Sequence, residues 1–224
     1  MNNKFVTISL AKWERVTGIH VTKVHTGKMS GKRSLRTSVL QNPICQARRK
    51  NKDSICSKCY ADKMLSGIYR ASEPCFAKNF AELQKPLMFF PKFPDSWKDF
   101  RFESFGDVAS KTQALNYLKI MYCNPKVTFA LWTKNPAIMD SAIAEIGKPK
   151  NMIYIQSSIC INKVDPKYSD NIDKIFTVFD SWKSAEKAGQ KINCEGKLKH
   201  LRCEDCNKCY NLRSKTVYIN EIVK

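Results

Sequence analysis

Phe100-Arg101-Phe102-Glu103-Ser104-Phe105-Gly106-Asp107 alternates aromatic and polar residues before turning at a glycine, which is how a strand with a loop at its end reads. Ser110 then stands three residues before Gln113, a capping-box spacing, and Ala114, Leu115, Leu118 and Met121 follow at helical spacing until Asn124-Pro125. The unit repeats. Val127 to Trp132 is a second strand. Asn135 supplies an N-cap, Pro136 suits the first helical position, and Gly147 stops the helix. Between them Ile138, Met139, Ala142, Ile143 and Ile146 form one apolar stripe. Met152 to Ile155 and Ile175 to Phe179 are third and fourth strands, and a short helix runs from about Ser181 to Ala188.

The strand starts near 100, 127, 152 and 175 are 27, 25 and 23 residues apart, the length of one strand–helix unit. Repeated units of that length imply parallel strands joined by right-handed crossovers. An earlier strand is expected at Ser34 to Leu40, and the polar stretch from Cys160 to Lys174, with Pro166, predicts an irregular crossover. A full eight-unit barrel needs about 250 residues, and the chain has 224. The expected fold is therefore α/β: a partial barrel or an open parallel sheet of five to six strands. Residues 1–190 would form that domain, and residues 191–224 a cysteine-rich extension packed on it.

In such folds ligands meet the carboxyl ends of the strands. Reading those ends gives Glu103, Ser104 and Asp107, then Thr133, Lys134 and Asn135, then Gln156, Ser157 and Ser158, then Asp180. Any one of them is explained as a cap or turn residue. Four strand ends that all turn polar point to a polar pocket.

The apolar fraction of 43% supports a real core, and no run of about 18 apolar residues calls for a membrane span. Met1 to Ala11 lacks the build of a secretory signal, so the cytoplasm is the expected compartment, a host's if the chain is phage-encoded. The net charge is +19. Residues 1–70 carry 15 basic and 3 acidic side chains, residues 71–182 carry 14 and 12, and residues 183–224 carry 10 and 5. The excess thus sits at the two ends. It would offset metal-bound thiolates, or attract nucleic acid or an acidic electron donor.

The clustered thiols also sit at the two ends. A reduced chain with 10 cysteines points to metal or catalysis rather than disulfides. Cys45, Cys56 and Cys59 form a first group; three thiolates leave one position on a metal open. Cys194, Cys203, Cys206 and Cys209 form a second, and two-residue gaps let successive thiolates converge on one centre. Four thiolates suit zinc and iron–sulfur clusters alike. Cys123 and Cys160 read as small core residues, Cys75 lies close enough to the first group to replace Cys45, and His20, His25 and His200 are alternative ligands.

Ile55-Cys56-Ser57-Lys58-Cys59-Tyr60-Ala61 resembles the end of the radical S-adenosylmethionine signature. More narrowly, a set of motifs resembles the small phage-encoded gene product 88 group, a radical-SAM-like set. It comprises Thr26-Gly27-Lys28-Met29, the Cys56/Cys59-Tyr60-Ala61 element, Phe102 to Asp107, Trp132-Thr133-Lys134-Asn135-Pro136 and the C-terminal cysteine run. The resemblance implies a [4Fe–4S] cluster on Cys45, Cys56 and Cys59. It also implies S-adenosylmethionine chelated to the open iron, and its reductive cleavage to a 5′-deoxyadenosyl radical that abstracts hydrogen from a substrate. Tyr60 would lie by the adenine, and the second cysteine group would hold an auxiliary cluster or zinc. Two departures stand out. Ten residues separate Cys45 from Cys56 where the signature has three, and no glycine-rich element for the methionine amine is visible, so Glu103 or Ser104 takes that task by position. Asp107, Lys134 and Ser157 complete the candidate cofactor site.

The leading expectation is an iron–sulfur enzyme acting on an unidentified substrate, nucleic-acid or nucleotide related, and served by an acidic flavodoxin or ferredoxin. One alternative is a zinc-bearing nucleic-acid-binding protein that uses Trp13, Tyr60, Tyr69 and Tyr210 against bases. Another is an iron–sulfur phage protein without chemistry of its own.

Overall fold

A computed structural model of the chain describes residues 5–199, 201–206 and 208–223. The first part runs β1 (Thr7–Ser9), α1 (Leu10–Thr17), β2 (Val21–Lys23), β3 (Arg33–Leu35), α2 (Pro43–Arg49), a 3-10 turn at Ile55–Lys58, α3 (Tyr60–Ser66) and α4 (Glu73–Leu83). Then come β4 (Phe90–Lys92), β5 (Asp99–Phe102), α5 (Lys111–Cys123), β6 (Thr128–Thr133), α6 (Pro136–Ile146) and β7 (Met152–Ser157). The chain closes with β8 (Lys174–Phe179), α7 (Trp182–Lys187), α8 (Glu195–Leu198), α9 (Cys203–Cys206) and β9 (Tyr218–Ile222). Among the described residues no helix is long and apolar enough to cross a membrane.

The main sheet has seven strands in the order β2-β3-β5-β6-β7-β8-β9. β2 runs antiparallel to β3, and every later pairing is parallel. The sheet is open, with β2 and β9 at its edges. β1 and β4 pair in parallel as a separate two-stranded ribbon. Apart from β4, the strand order from β3 onward follows the chain, and crossover connections join the parallel strands.

The repeating units fold as their pattern predicts. Ser110 caps α5, its hydroxyl accepting from the Gln113 amide at 3.1 Å. Pro136 opens α6, and Gly147 ends it with φ +84°. Ser181 caps α7. Residues 158–173, between β7 and β8, form no helix. The expected strand at Ser34 to Leu40 is shorter: its ladder ends at Leu35, and Thr37 already bonds past β5, to the Phe105 carbonyl at 3.2 Å. Residues 191–224, expected as an extension, supply β9 to the main sheet.

Parallel strands are covered on both faces, and here the two faces are covered differently. Phe100 and Phe102 of β5, Phe129 and Leu131 of β6, and Met152 and Tyr154 of β7 point into the helical layer and join Tyr117, Leu118 and Met121 of α5. Aromatic contacts dominate: Phe102 stacks on Tyr117 with centroids 4.3 Å apart and on Phe129 at 5.5 Å. Burying each such ring contributes about 1.5–3 kcal/mol. On the opposite face Ala130, Trp132, Ile153 and Ile155 pack against Tyr210, Cys203 and Cys209. The cysteine-rich C-terminal segment is therefore the cover of the second face.

Candidate functional site

The first cysteine group lies over the carboxyl ends of the parallel strands, and several independent ties hold it there. Cys45 sits in the first turn of α2, whose N-cap Asn42 accepts from the Ile44 and Cys45 amides at 3.0 and 3.2 Å. The Asn42 amide donates to the Asp107 carbonyl at 2.8 Å, fixing α2 to the loop after β5. Arg48 donates to the Lys134 carbonyl at 2.9 Å, just past β6, and stands 3.6 Å from the Asp107 carboxylate. The Ile55 amide donates to the Ile159 carbonyl at 2.9 Å, just past β7. Tyr60, the first residue of α3, donates its hydroxyl to the Ser104 carbonyl at 2.6 Å. One loop of residues 42–66 thus spans the ends of β5, β6 and β7.

Cys45 feels the charges of Cys56, Asp107 and Glu103, and burial pushes its thiol up. Cys59 packs with it on a small core of Val39, Ala61, Leu65, Phe76 and Phe105. Cys75 touches that core too, but its thiol faces Glu14 and Lys78. Cys45 thus feels the charge of Cys56, and Cys75 those of Glu14 and Lys78. Cys160, expected in the core, lies in the loop after β7, where it bridges to Ser54. Arg36 crosses the same core, 5.2 Å from the Phe105 ring, with a buried Nε that has no hydrogen-bond partner.

The polar strand ends are taken up by bonds to their own neighbours rather than lining an open pocket, and all but those of Lys134 and Asp180 are buried. Glu103 takes the left-handed conformation, φ +56°. Its carboxylate accepts from Thr37 and Gln113 at 2.7 Å each and from the Tyr117 hydroxyl. Those bonds offset the roughly 1–2 kcal/mol that a non-glycine residue loses in that conformation. Burial raises the Glu103 carboxyl to about 8, against the pull of its donors. Ser104 accepts from the Ser34 hydroxyl at 2.7 Å. Asp107 accepts from the Thr133 hydroxyl at 2.5 Å and from the Lys134 amide at 3.1 Å. Asn135 stands at the N-cap without capping; its amide donates to the Val108 carbonyl instead. Gln156 and Ser158 bind the loop after β7, and Asp180 accepts from Asn162 and Ser184. Ser157 is buried at the end of β7. Lys134 lies close enough to Cys45 to favour its thiolate.

The second cysteine group lines one cavity of about 30 Å³: Cys194, Cys203, Cys206 and Cys209 surround it with Tyr210 and Ile219. Cys203 donates its amide to the Lys28 carbonyl at 2.6 Å, and Arg101 reaches the Met29 sulfur at 3.1 Å. The Thr26 to Met29 motif therefore serves as the seat of the C-terminal segment. No group of three or more His, Cys, Asp or Glu among the described residues stands in metal-ligating geometry. His200 lies outside the described residues.

Sequence reading missed Thr37, Arg48 and Tyr117 below the first site, and Arg101 at the second. Gln113 was read only as a capping-box partner, Lys28 only as part of a motif and Tyr210 only as a base contact. The aromatic set expected to meet bases is corrected: Trp13 is fully buried, its indole donating to the Phe89 carbonyl at 3.0 Å, and Tyr210 is 4% exposed. Tyr60 alone of the four is well exposed, at 57%.

A family model described as Gene product 88 matches residues 41–217, a span that holds both cysteine groups. The chain belongs to the Gene product 88 family. Membership bears out the resemblance to the gene product 88 group read from the motifs. The family match begins just before Asn42 and ends just before β9, so it takes in the loop over the strand ends and the cover of the second face. No match was found among curated proteins or among solved structures.

Proposed function

We propose that the chain is an iron–sulfur enzyme of the radical S-adenosylmethionine type, with Cys45, Cys56 and Cys59 holding a [4Fe–4S] cluster. The observation that carries this reading is the seating of the cysteine loop on the ends of three successive parallel strands, where such folds do their chemistry. The donor set suits the group: three soft thiols, free of disulfides and partly exposed. When bound, the cluster supplies a low-potential electron and an iron position open to the amino and carboxylate groups of S-adenosylmethionine.

The chain's own residues take supporting parts. Tyr60 presents an exposed ring beside Cys59, held in place by Ser104 and edge-on to Phe105 at 5.7 Å, and so offers a face to an adenine. Arg36 sets a positive charge beneath the site, its guanidinium over the Phe105 ring and its buried Nε without a hydrogen-bond partner. Burial holds the Cys45 thiol up, and Lys134 offsets part of that. Glu103, Ser104 and Asp107 stiffen the floor beneath, each already bonded to neighbours. Around the loop Arg49, Lys50, Lys52, Lys58, Lys63 and Arg70 are exposed, a basic rim suited to a nucleotide or nucleic-acid substrate and to an acidic flavodoxin or ferredoxin.

The test is anaerobic reconstitution followed by iron and sulfide analysis, then dithionite and S-adenosylmethionine with detection of 5′-deoxyadenosine. Cys56→Ala and Cys59→Ala should each abolish the product. A chain that takes up no cluster, or variants that still form 5′-deoxyadenosine, would overturn the reading.

A further inference from the structure

We propose that Arg36, Arg101 and Tyr210 form the binding place for a phosphate group of the substrate, beside Tyr60 on the covered face of the sheet. That the phosphate belongs to a substrate rests on the enzyme reading above; the binding place itself rests on these residues alone.

Three of the four buried side-chain polar atoms without a hydrogen-bond partner among the described residues are Arg36 Nε, Arg101 Nε and the Tyr210 hydroxyl oxygen. They belong to neighbours. Arg36 and Arg101 feel each other's charge, Tyr60 faces both, and Tyr210 faces Arg101. A buried polar group left unbonded costs about 1–3 kcal/mol, so native structures hold few of them. All three groups can donate, so the partner they fit is an acceptor with several oxygens.

Charge narrows the choice. Neither arginine has a carboxylate at ion-pair distance among the described residues. What surrounds them is aromatic or soft. The Arg36 guanidinium lies 5.2 Å from the Phe105 ring centroid, that of Arg101 lies 4.0 Å from the Trp132 centroid, and Arg101 donates to the Met29 sulfur at 3.1 Å. A thioether is a weak acceptor, and a ring face stabilises a cation without cancelling its charge. Burial and the charge of Arg101 both act against the Arg36 cation. A carboxylate would balance one of the two charges. A phosphate monoester, dianionic at pH 8, balances both, and its oxygens suit the paired donors of a guanidinium.

The placement suits a ligand that enters from solvent. Arg101 lies on β5 and Arg36 follows β3, the neighbouring strand. Both residues are partly exposed, and Tyr60 is 57% exposed. A phosphate held there sets the molecule that carries it against Tyr60 and the cysteine loop.

The experiment is calorimetric titration of the full chain with inorganic phosphate at pH 8 and about 0.15 M salt. One site per chain is expected, weakened roughly tenfold or more in Arg101→Gln and in Arg36→Gln. Should those variants fail to fold, Arg101→Lys and Tyr210→Phe, which keep the charge and the ring, should still weaken binding about threefold or more. Lys126→Gln, at an exposed position ahead of β6, should bind as the unaltered chain does. Equal weakening in Lys126→Gln, acetate bound as tightly as phosphate, or arginine variants of unchanged affinity would each overturn the proposal. A chain that binds phosphate but forms no 5′-deoxyadenosine would fail the enzyme reading alone, and one that forms it without binding phosphate would fail this proposal alone.

Discussion

The Tyr60 hydroxyl donates to the Ser104 carbonyl oxygen at 2.6 Å, and this bond joins the residue after Cys59 to the loop after β5. It makes the cysteine loop and the sheet one mechanical unit, although the Tyr60 ring is itself largely exposed. Tyr60→Phe keeps the ring contact with Phe105 and deletes the bond. The expected loss is about 1 kcal/mol in urea unfolding, with faster loss of reconstituted iron on dilution. Unchanged iron retention would show that the other ties of the loop suffice.

Cys45 and Cys75 should separate cleanly. Cys45 feels the charge of Cys56, whereas Cys75 feels those of Glu14 and Lys78. Cys45→Ser is expected to remove nearly all iron from the first site, and Cys75→Ser to leave it intact. Iron analysis of the two variants decides it, and the reverse pattern would exchange their roles.

Glu103 gives stability a pH dependence with a definite sign. Its folded carboxyl, near 8, lies above the ordinary 4.5. Between those values the folded chain keeps a proton that the unfolded chain has released, so stability falls as pH rises from about 4.5 to about 8 and then levels. The slope from this group is at most about 1.4 kcal/mol per pH unit. Urea titrations from pH 5 to 9 should show the decline, and Glu103→Gln should flatten it. An unchanged slope in the variant would assign the decline to other groups.

Gly106 is required by two features at once. Its φ is +90°, and a side-chain carbon there would overlap the Thr37 hydroxyl and the Glu103 carboxylate. Gly106→Ala is expected to cost on the order of 3 kcal/mol. It should also strengthen the pH dependence, because Thr37 is one of the donors that pull the Glu103 carboxyl back down against burial. A cost under about 1 kcal/mol in thermal or urea unfolding would mean that this turn relaxes.

Much of the sheet was readable because β5 to β8 carry strong local signals: apolar runs, then caps, then glycine or proline stops. What escaped depends on partners remote in sequence. The alternation Phe100-Arg101-Phe102 reads as a strand with a solvated side, yet the C-terminal segment covers Arg101. β9 is Tyr-Ile-Asn-Glu-Ile, short and half polar, and becomes a strand through its pairing with β8. Asn135 was legible as an N-cap by position, but its amide finds the Val108 carbonyl across the sheet end, a bond that local pattern cannot reveal. The polar strand ends were found by position. Their mutual bonding was not, since Thr37, Gln113 and Tyr117 come from different elements.

The strand order also bears on biosynthesis. Each strand from β5 to β9 docks beside the one made before it, so the sheet can lengthen at a single edge as the chain leaves the ribosome. The segment that covers Trp132 and Arg101, and the strand that finishes the edge, are the last to emerge. A nascent chain stalled before Cys194 would therefore display an apolar sheet face and an open edge together, the kind of surface that chaperones retain and that other chains join.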